Sequence, residues 1–180
     1  MSRRVGITGL GVVTGLGVGM QPLWDGLVAG HSAIKRITRF DPSGFPCRLA
    51  AEVAAFSAKD HVPKHYRKAV KVMSRDVELA VAAAKLAVED AGLTTRSHLG
   101  NPDDTTPEDL AKLTYKPGRL GCHIGAGLIA AETEELSYAL ASATAGAGSQ
   151  STLGNVDMAA WGTFGMENLT PLWLLKYLPN

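Results

Sequence analysis

The stretch from Arg67 to Ala91 constrains this chain most. Val70, Met73, Val77, Ala80, Val81, Ala84, Ala87, Val88 and Ala91 recur there at helical spacing, and Gly92 supplies a stop. The spacing predicts one long helix. Its face is unusually small, from Ala80 to Ala84 especially, and small side chains let a second backbone approach closely. Such a helix is expected to lie buried against a partner element more deeply than an ordinary surface helix does.

Val5-Gly6-Ile7-Thr8 is short and β-branched and runs into Gly9, Gly11, Gly15 and Gly17, which reads as a buried strand entering a tight turn. Glycines after a first strand can also cradle a pyrophosphate. Here the spacing fails: Thr14 stands where a third small residue is needed, and no acidic residue follows at the end of a second strand. Close backbone packing explains these glycines better than a nucleotide.

Gln21 to Gly30 places Pro22 near a helix start and Gly30 at its end, with Leu23, Trp24, Leu27 and Val28 on one face. Residues 34–46 read as an irregular connection and Leu49 to Val53 as a short strand. Thr94 to Pro117 is polar, and Thr106-Pro107-Glu108-Asp109 has the form of a helix start. Arg119 to Ile124 is a second expected strand, closed by Gly125 and Gly127. Ile129 to Leu140 follows as a helix with Glu132, Glu134 and Glu135, and Ala141 to Gly148 as a flexible loop. The last segment, from Trp161 through Trp173 to Leu178, is strongly apolar, which suggests a cut inside a core.

Composition narrows the function. In 180 residues, 46% are hydrophobic and 19% charged, with a formal net charge of +1, so neither disorder nor a nucleic-acid footprint is indicated. The basic run Lys64 to Lys71 reads as the solvated start of a helix. Cys47 and Cys122 are too far apart and too dissimilar in context to form a CxxC site, so a reduced, cytoplasmic setting is expected. No apolar stretch approaches the roughly eighteen residues that would span a bilayer.

Candidate chemistry is sparse. Cys122 and His123 are neighbours in an expected strand and would point to opposite faces, so Cys122 is expected to be a buried, inert thiol. Cys47 lies in a Pro-containing loop without a base beside it, structural or merely exposed. His61 and His65 have ligand-like spacing, but Pro63 lies between them and no carboxylate completes a site; a surface pair is expected, not a metal.

Four segments occur in a telling order: Val5 to Gly11, Trp24 to Gly30, Met73 to Leu93 ending Glu89-Asp90-Ala91-Gly92-Leu93, and Gly121 to Leu128. Thr170-Pro171-Leu172-Trp173-Leu174-Leu175 leads on to Pro179-Asn180. Together these resemble the N-terminal half of the elongating β-ketoacyl-acyl-carrier-protein synthases, condensing enzymes of the thiolase-like class. The resemblance implies an α/β chain whose residues 1–180 form one half of that fold, with helices on and between mixed sheets. The connections at about 94–117 and 143–168 look longer than the family's usual loops.

The family's nucleophilic cysteine, two histidines and lysine would lie beyond Asn180, so no catalytic residue is expected in this chain. What it would contribute is shape. Gly127 and Leu128 match the turn whose apolar residue gates the acyl pocket, and Pro171, Leu172 and Trp173 match a segment lining that pocket near a dimer interface. The ring of Trp173 would shorten the cavity and favour shorter acyl chains. The resemblance further implies a homodimer without cofactor or metal, acting with acyl carrier protein on acyl and malonyl thioesters in fatty-acid or polyketide biosynthesis. A catalytically silent chain-length-factor-like partner subunit and an unrelated nucleotide-binding α/β domain are the alternatives.

Overall fold

The structure is a computed structural model that describes residues 4–125, 131–144 and 156–171. It divides into two compact units, Met1–Lys71 with Arg75–Ile124, and Val72–Ser74 with Gly125–Asn180.

In the first unit the chain opens as an extended segment and then forms a minimal hairpin, β1 (Val13–Thr14) against β2 (Gly17–Val18), antiparallel with Val13 opposite Val18. The Thr14 hydroxyl accepts from the Leu16 amide at 3.2 Å and so closes the turn. Helix α1 (Met20–Val28) follows. It stops as expected at Gly30, whose φ of 67° lets His31 N–H reach the Gly26 carbonyl at 2.8 Å and Gly30 N–H the Leu27 carbonyl at 3.1 Å. A second antiparallel pair, β3 (Ile34–Arg36) and β4 (Leu49–Ala51), comes next, with Lys35 opposite Ala50. Its first strand falls where an irregular connection was expected.

The long helix forms as α2 (Arg75–Asp90), but it starts eight residues later than its periodicity suggests. Residues 64–72 make short 3-10 turns instead. The dipole explains the difference. Lys64 to Lys71 would set positive charge against the positive end of the helix, whereas Asp76 and Glu78 complement it from the first turn of α2. At the other end Gly92, at φ 64°, lets Leu93 N–H bond the Val88 carbonyl at 3.0 Å.

A second backbone does come close to α2, and it is the opening segment, although within the helix only Ala82 is buried and the deep burial expected of it is not seen. A Cβ built on Gly9 would fall 2.3 Å from the Ala87 carbonyl oxygen and 2.7 Å from Ala91 Cβ; on Gly11 it would fall 2.0 Å from the Ala83 carbonyl oxygen. Ala83, Ala87 and Ala91 are spaced i, i+4, i+8 and line one side of the helix. The Leu10 amide, between the two glycines, donates to the Asp90 carboxylate at 2.8 Å. These glycines therefore serve helix packing.

The two longer expected strands do not form. Val5 and Ile7 are 95% and 84% exposed, and the segment has no strand partner among the described residues. Pro117–Arg119 is a 3-10 turn, and residues 120–125 have no strand partner among the described residues, with Leu120 and Ile124 exposed. An isolated extended segment gains nothing from β-branched side chains until neighbours cover both its faces and its ladder groups. Cys122 is consequently exposed, not buried.

The connection at 94–117 is ordered by its own polar side chains. Helix α3 (Pro107–Ala111) starts where the sequence indicates: the Thr106 hydroxyl accepts from Asp109 N–H at 3.2 Å, and the Asp109 carboxylate accepts from Thr106 N–H at 3.2 Å. Lys112 lies 2.8 Å from Asp109 and, with the Thr106 hydroxyl and amide, holds its carboxyl at about 2. The loop is tied at its base, where Thr94 N–H donates to the Thr114 hydroxyl at 2.8 Å.

The second unit is helical. Alpha4 (Thr133–Thr144) is followed by α5 (Met158–Ala160), a wide π-type turn at Trp161–Gly165 and a 3-10 turn at Met166–Asn168. Part of the stretch expected to be loop, 143–168, is thus helix. Asp157 starts it by accepting the Ala159 and Ala160 amides at 2.8 and 3.3 Å.

Candidate functional site

Of the five residues assigned to an acyl pocket, Gly127, Leu128, Leu172 and Trp173 lie outside the described residues. Pro171 is described and is exposed. Described residues next to these two segments in sequence pack together. Ala131, three residues after Leu128, and Leu169, three before Leu172, are both buried in one cluster with Ala139, and Leu136 and Trp161 pack against it.

The face of α4 explains why this cluster forms. Glu135, Ala139 and Ser142 follow i, i+4, i+7, so they share one side of the helix. Ala139 is fully buried at 0% exposure, and its carbonyl oxygen would stand 3.1 Å from a Cβ on Gly165. The missing side chain at Gly165 lets the π-type turn lie directly on α4, with the Trp161 ring 3.0 Å from the same point. On one flank of Ala139, Ser142 Oγ accepts from Asn168 Nδ2 at 2.9 Å; the same amide group donates to the Phe164 carbonyl at 2.9 Å. On the other flank the Thr170 hydroxyl donates to the Glu135 carboxylate. Residues 168–170, which lead into Pro171, are held at three points by one helix.

Sequence reading named neither Glu135 nor Thr170 as part of this site. Both side chains are half-buried. The only signal available was a carboxylate and a hydroxyl residue flanking two apolar segments 35 residues apart, which no local pattern would join.

The other candidates do not converge on a reaction centre. Cys47 is exposed, with Sγ 3.6 Å from the Leu49 carbonyl oxygen. The His61 ring stacks on Phe56 at 5.5 Å between centroids, and the His65 ring lies 4.3 Å from that of Tyr66. Among the described residues no group of three or more metal-ligating side chains comes together, and no helix is long and apolar enough to cross a membrane. A cleft of about 300 Å³ lies in the 94–117 connection, bounded by Leu93, Leu113, Tyr115 and Leu120.

Comparison with known proteins fits the architecture. The profile of the family described as "Beta-ketoacyl synthase, N-terminal domain" matches residues 2–158. The chain belongs to that family. It is 45% identical over 91 residues to 3-oxoacyl-[acyl-carrier-protein] synthase 2 of Coxiella burnetii, covering 51% of this chain and 21% of that protein. It is 42% identical over 87 residues to the tetracenomycin polyketide synthase ketoacyl synthase beta subunit of Streptomyces glaucescens, covering 48% and 20%. Among solved structures, "The ishigamide ketosynthase/chain length factor" aligns over 96% of this chain and 33% of its own with a TM-score of 0.53 and 28% identity. The chain thus spans about a fifth of the length of these two curated relatives.

Proposed function

We propose that this chain is the N-terminal part of a 3-oxoacyl-[acyl-carrier-protein] synthase that serves fatty-acid or polyketide biosynthesis. Its role is to build walls of the acyl pocket, with Leu128 and Gly127 on one segment and Pro171, Leu172 and Trp173 on another. The supporting observation is the shared burial of Ala131 and Leu169, which brings the flanks of those two segments onto one helix. In the complete protein, strands from the rest of the polypeptide would cover Val5 to Thr8 and Arg119 to Ile124, giving the layered α/β fold.

The chemistry follows from the family. A cysteine thiolate attacks the acyl thioester, a carbon–sulfur bond forms, and the carrier thiol leaves. Malonyl thioester then loses carbon dioxide, its enolate attacks the acyl-enzyme carbonyl, and the enzyme thiolate departs to leave a 3-oxoacyl thioester. Backbone amides hold the oxyanion in both steps. Neither cysteine of this chain fills the first role in this proposal: among the described residues Cys47 Sγ lies against the Leu49 backbone carbonyl, and the nucleophile of the family would lie beyond Asn180. The thiolate and its histidines belong to the remainder of the protein. Acyl carrier protein delivers both substrates, and the protein acts as a homodimer.

The test is condensation by the protein expressed from the complete reading frame. With acyl and malonyl carrier thioesters, one carbon dioxide and one 3-oxoacyl thioester should appear per turnover. A second reading is a chain-length-factor-like partner subunit without its own nucleophile, favoured by the alignment with the ishigamide ketosynthase/chain length factor. A folded protein that condenses only when paired with an active synthase would favour that reading.

A further inference from the structure

We infer that Glu135 is a positioning residue for acyl-chain selectivity, acting through Thr170 on the Pro171 wall; the inference rests on the reading of this chain as part of a synthase. The Thr170 hydroxyl donates to the Glu135 carboxylate across 35 residues of sequence, and both side chains are half-buried. Leu169, one residue earlier, is buried at 8% exposure, while Pro171, one residue later, is exposed. The hydrogen bond therefore sits at the boundary between a packed core and a wall that packing alone leaves unfixed.

A hydrophobic contact at Leu169 sets depth but is non-directional. A hydrogen bond to a carboxylate adds direction, because the hydroxyl must point at one oxygen along a restricted line. Ser142, two turns along the same face of α4, fixes Asn168 in the same way. With residues 168 and 170 pinned to one helix, the backbone at Pro171 has little freedom to shift relative to α4. Pro171 adds its own restriction, since its ring fixes φ. A wall held this way has a fixed distance from the acyl chain, which is the condition for discriminating chains by single methylene units. Glu135 touches no reacting atom in this account. Its effect is on where the pocket ends.

The experiment uses the protein from the complete reading frame and measures kcat/KM for a short and a long saturated acyl thioester. Glu135→Ala and Thr170→Val should change the long-to-short ratio by about tenfold, the scale of a methylene-sized change in an apolar pocket. Glu135→Gln keeps an oxygen acceptor and Thr170→Ser keeps the hydroxyl, so both should hold the ratio near the parent value. A purely structural bond would lower both rates together and leave the ratio unmoved. An unchanged ratio in Glu135→Ala and Thr170→Val overturns the inference, as does an equal change in the two conservative variants. If the parent protein condenses neither substrate, the synthase reading itself falls and this inference with it.

Discussion

Gly11 lies so close to Ala83 that a single added Cβ would stand 2.0 Å from the Ala83 carbonyl oxygen, inside any permitted contact. The partner atom belongs to helix backbone, which cannot rotate aside as a side chain can. Gly11→Ala must therefore push the opening segment off α2, at a cost of roughly 3 kcal/mol, the upper range for overpacking. Gly44, in an exposed turn with nothing within 4 Å of its built Cβ, is the matched control and should change stability by less than about 0.5 kcal/mol on substitution by alanine. Thermal or urea midpoints of the two variants check this. Equal midpoints would remove the helix-packing role from Gly11.

Arg75 joins α2 to the irregular segment that follows β4 and meets three groups. Its guanidinium donates to the Val53 carbonyl at 3.0 Å and to Glu78 at 3.0 Å, and lies 4.7 Å from the centroid of the Phe56 ring. A lysine ammonium has neither the fork nor the flat face needed to serve all three. Arg75→Ala should cost about 2 kcal/mol, and Arg75→Lys should recover less than half of that loss. Full recovery by lysine would mean that charge alone matters here.

Glu52 gathers the loop after β3 into one carboxylate. The Thr38 hydroxyl donates to it at 2.6 Å, and the Arg39 and Thr38 amides at 3.0 and 3.1 Å. The Thr38 side chain first, then the Arg39 and Thr38 amides, hold its pKa below the ordinary glutamate value. A carboxyl depressed on folding stabilises the folded form above its unfolded pKa, and that contribution is lost as pH falls through the folded pKa. The amide chemical shifts of Thr38 and Arg39 should therefore titrate together, with a midpoint below the usual value of about 4.3. A midpoint at or above that value, or shifts that ignore pH, would contradict this arrangement.

Local chemistry was legible in the sequence where it depends on neighbours along the chain. Gly30 and Gly92 ended their helices as expected, and Thr106 with Asp109 marked a helix start. The pairing of small residues on α2 with an incoming backbone was also foreseeable, because alanines at i, i+4 and i+8 leave a groove whatever fills it. Strands were a different matter. Val5 to Thr8 and Arg119 to Ile124 have the composition of buried strands, but a strand is completed by residues far away, and the described residues do not supply them. Ile34–Arg36 was missed for the converse reason: its charged Lys35 and Arg36 pair only because Leu49–Ala51 comes alongside. Likewise Pro171 was chosen from a segment pattern, while Glu135, which holds its neighbour Thr170, carries no sequence mark of that task.

The most direct test of the central claim, that these residues wall an acyl pocket, is the chain-length profile of 3-oxoacyl products formed by the protein from the complete reading frame and by its Trp173→Ala variant. Removing the indole should deepen the pocket, and the variant should yield longer products than the parent under the same supply of acyl and malonyl thioesters. An identical product profile in the two proteins would contradict the claim.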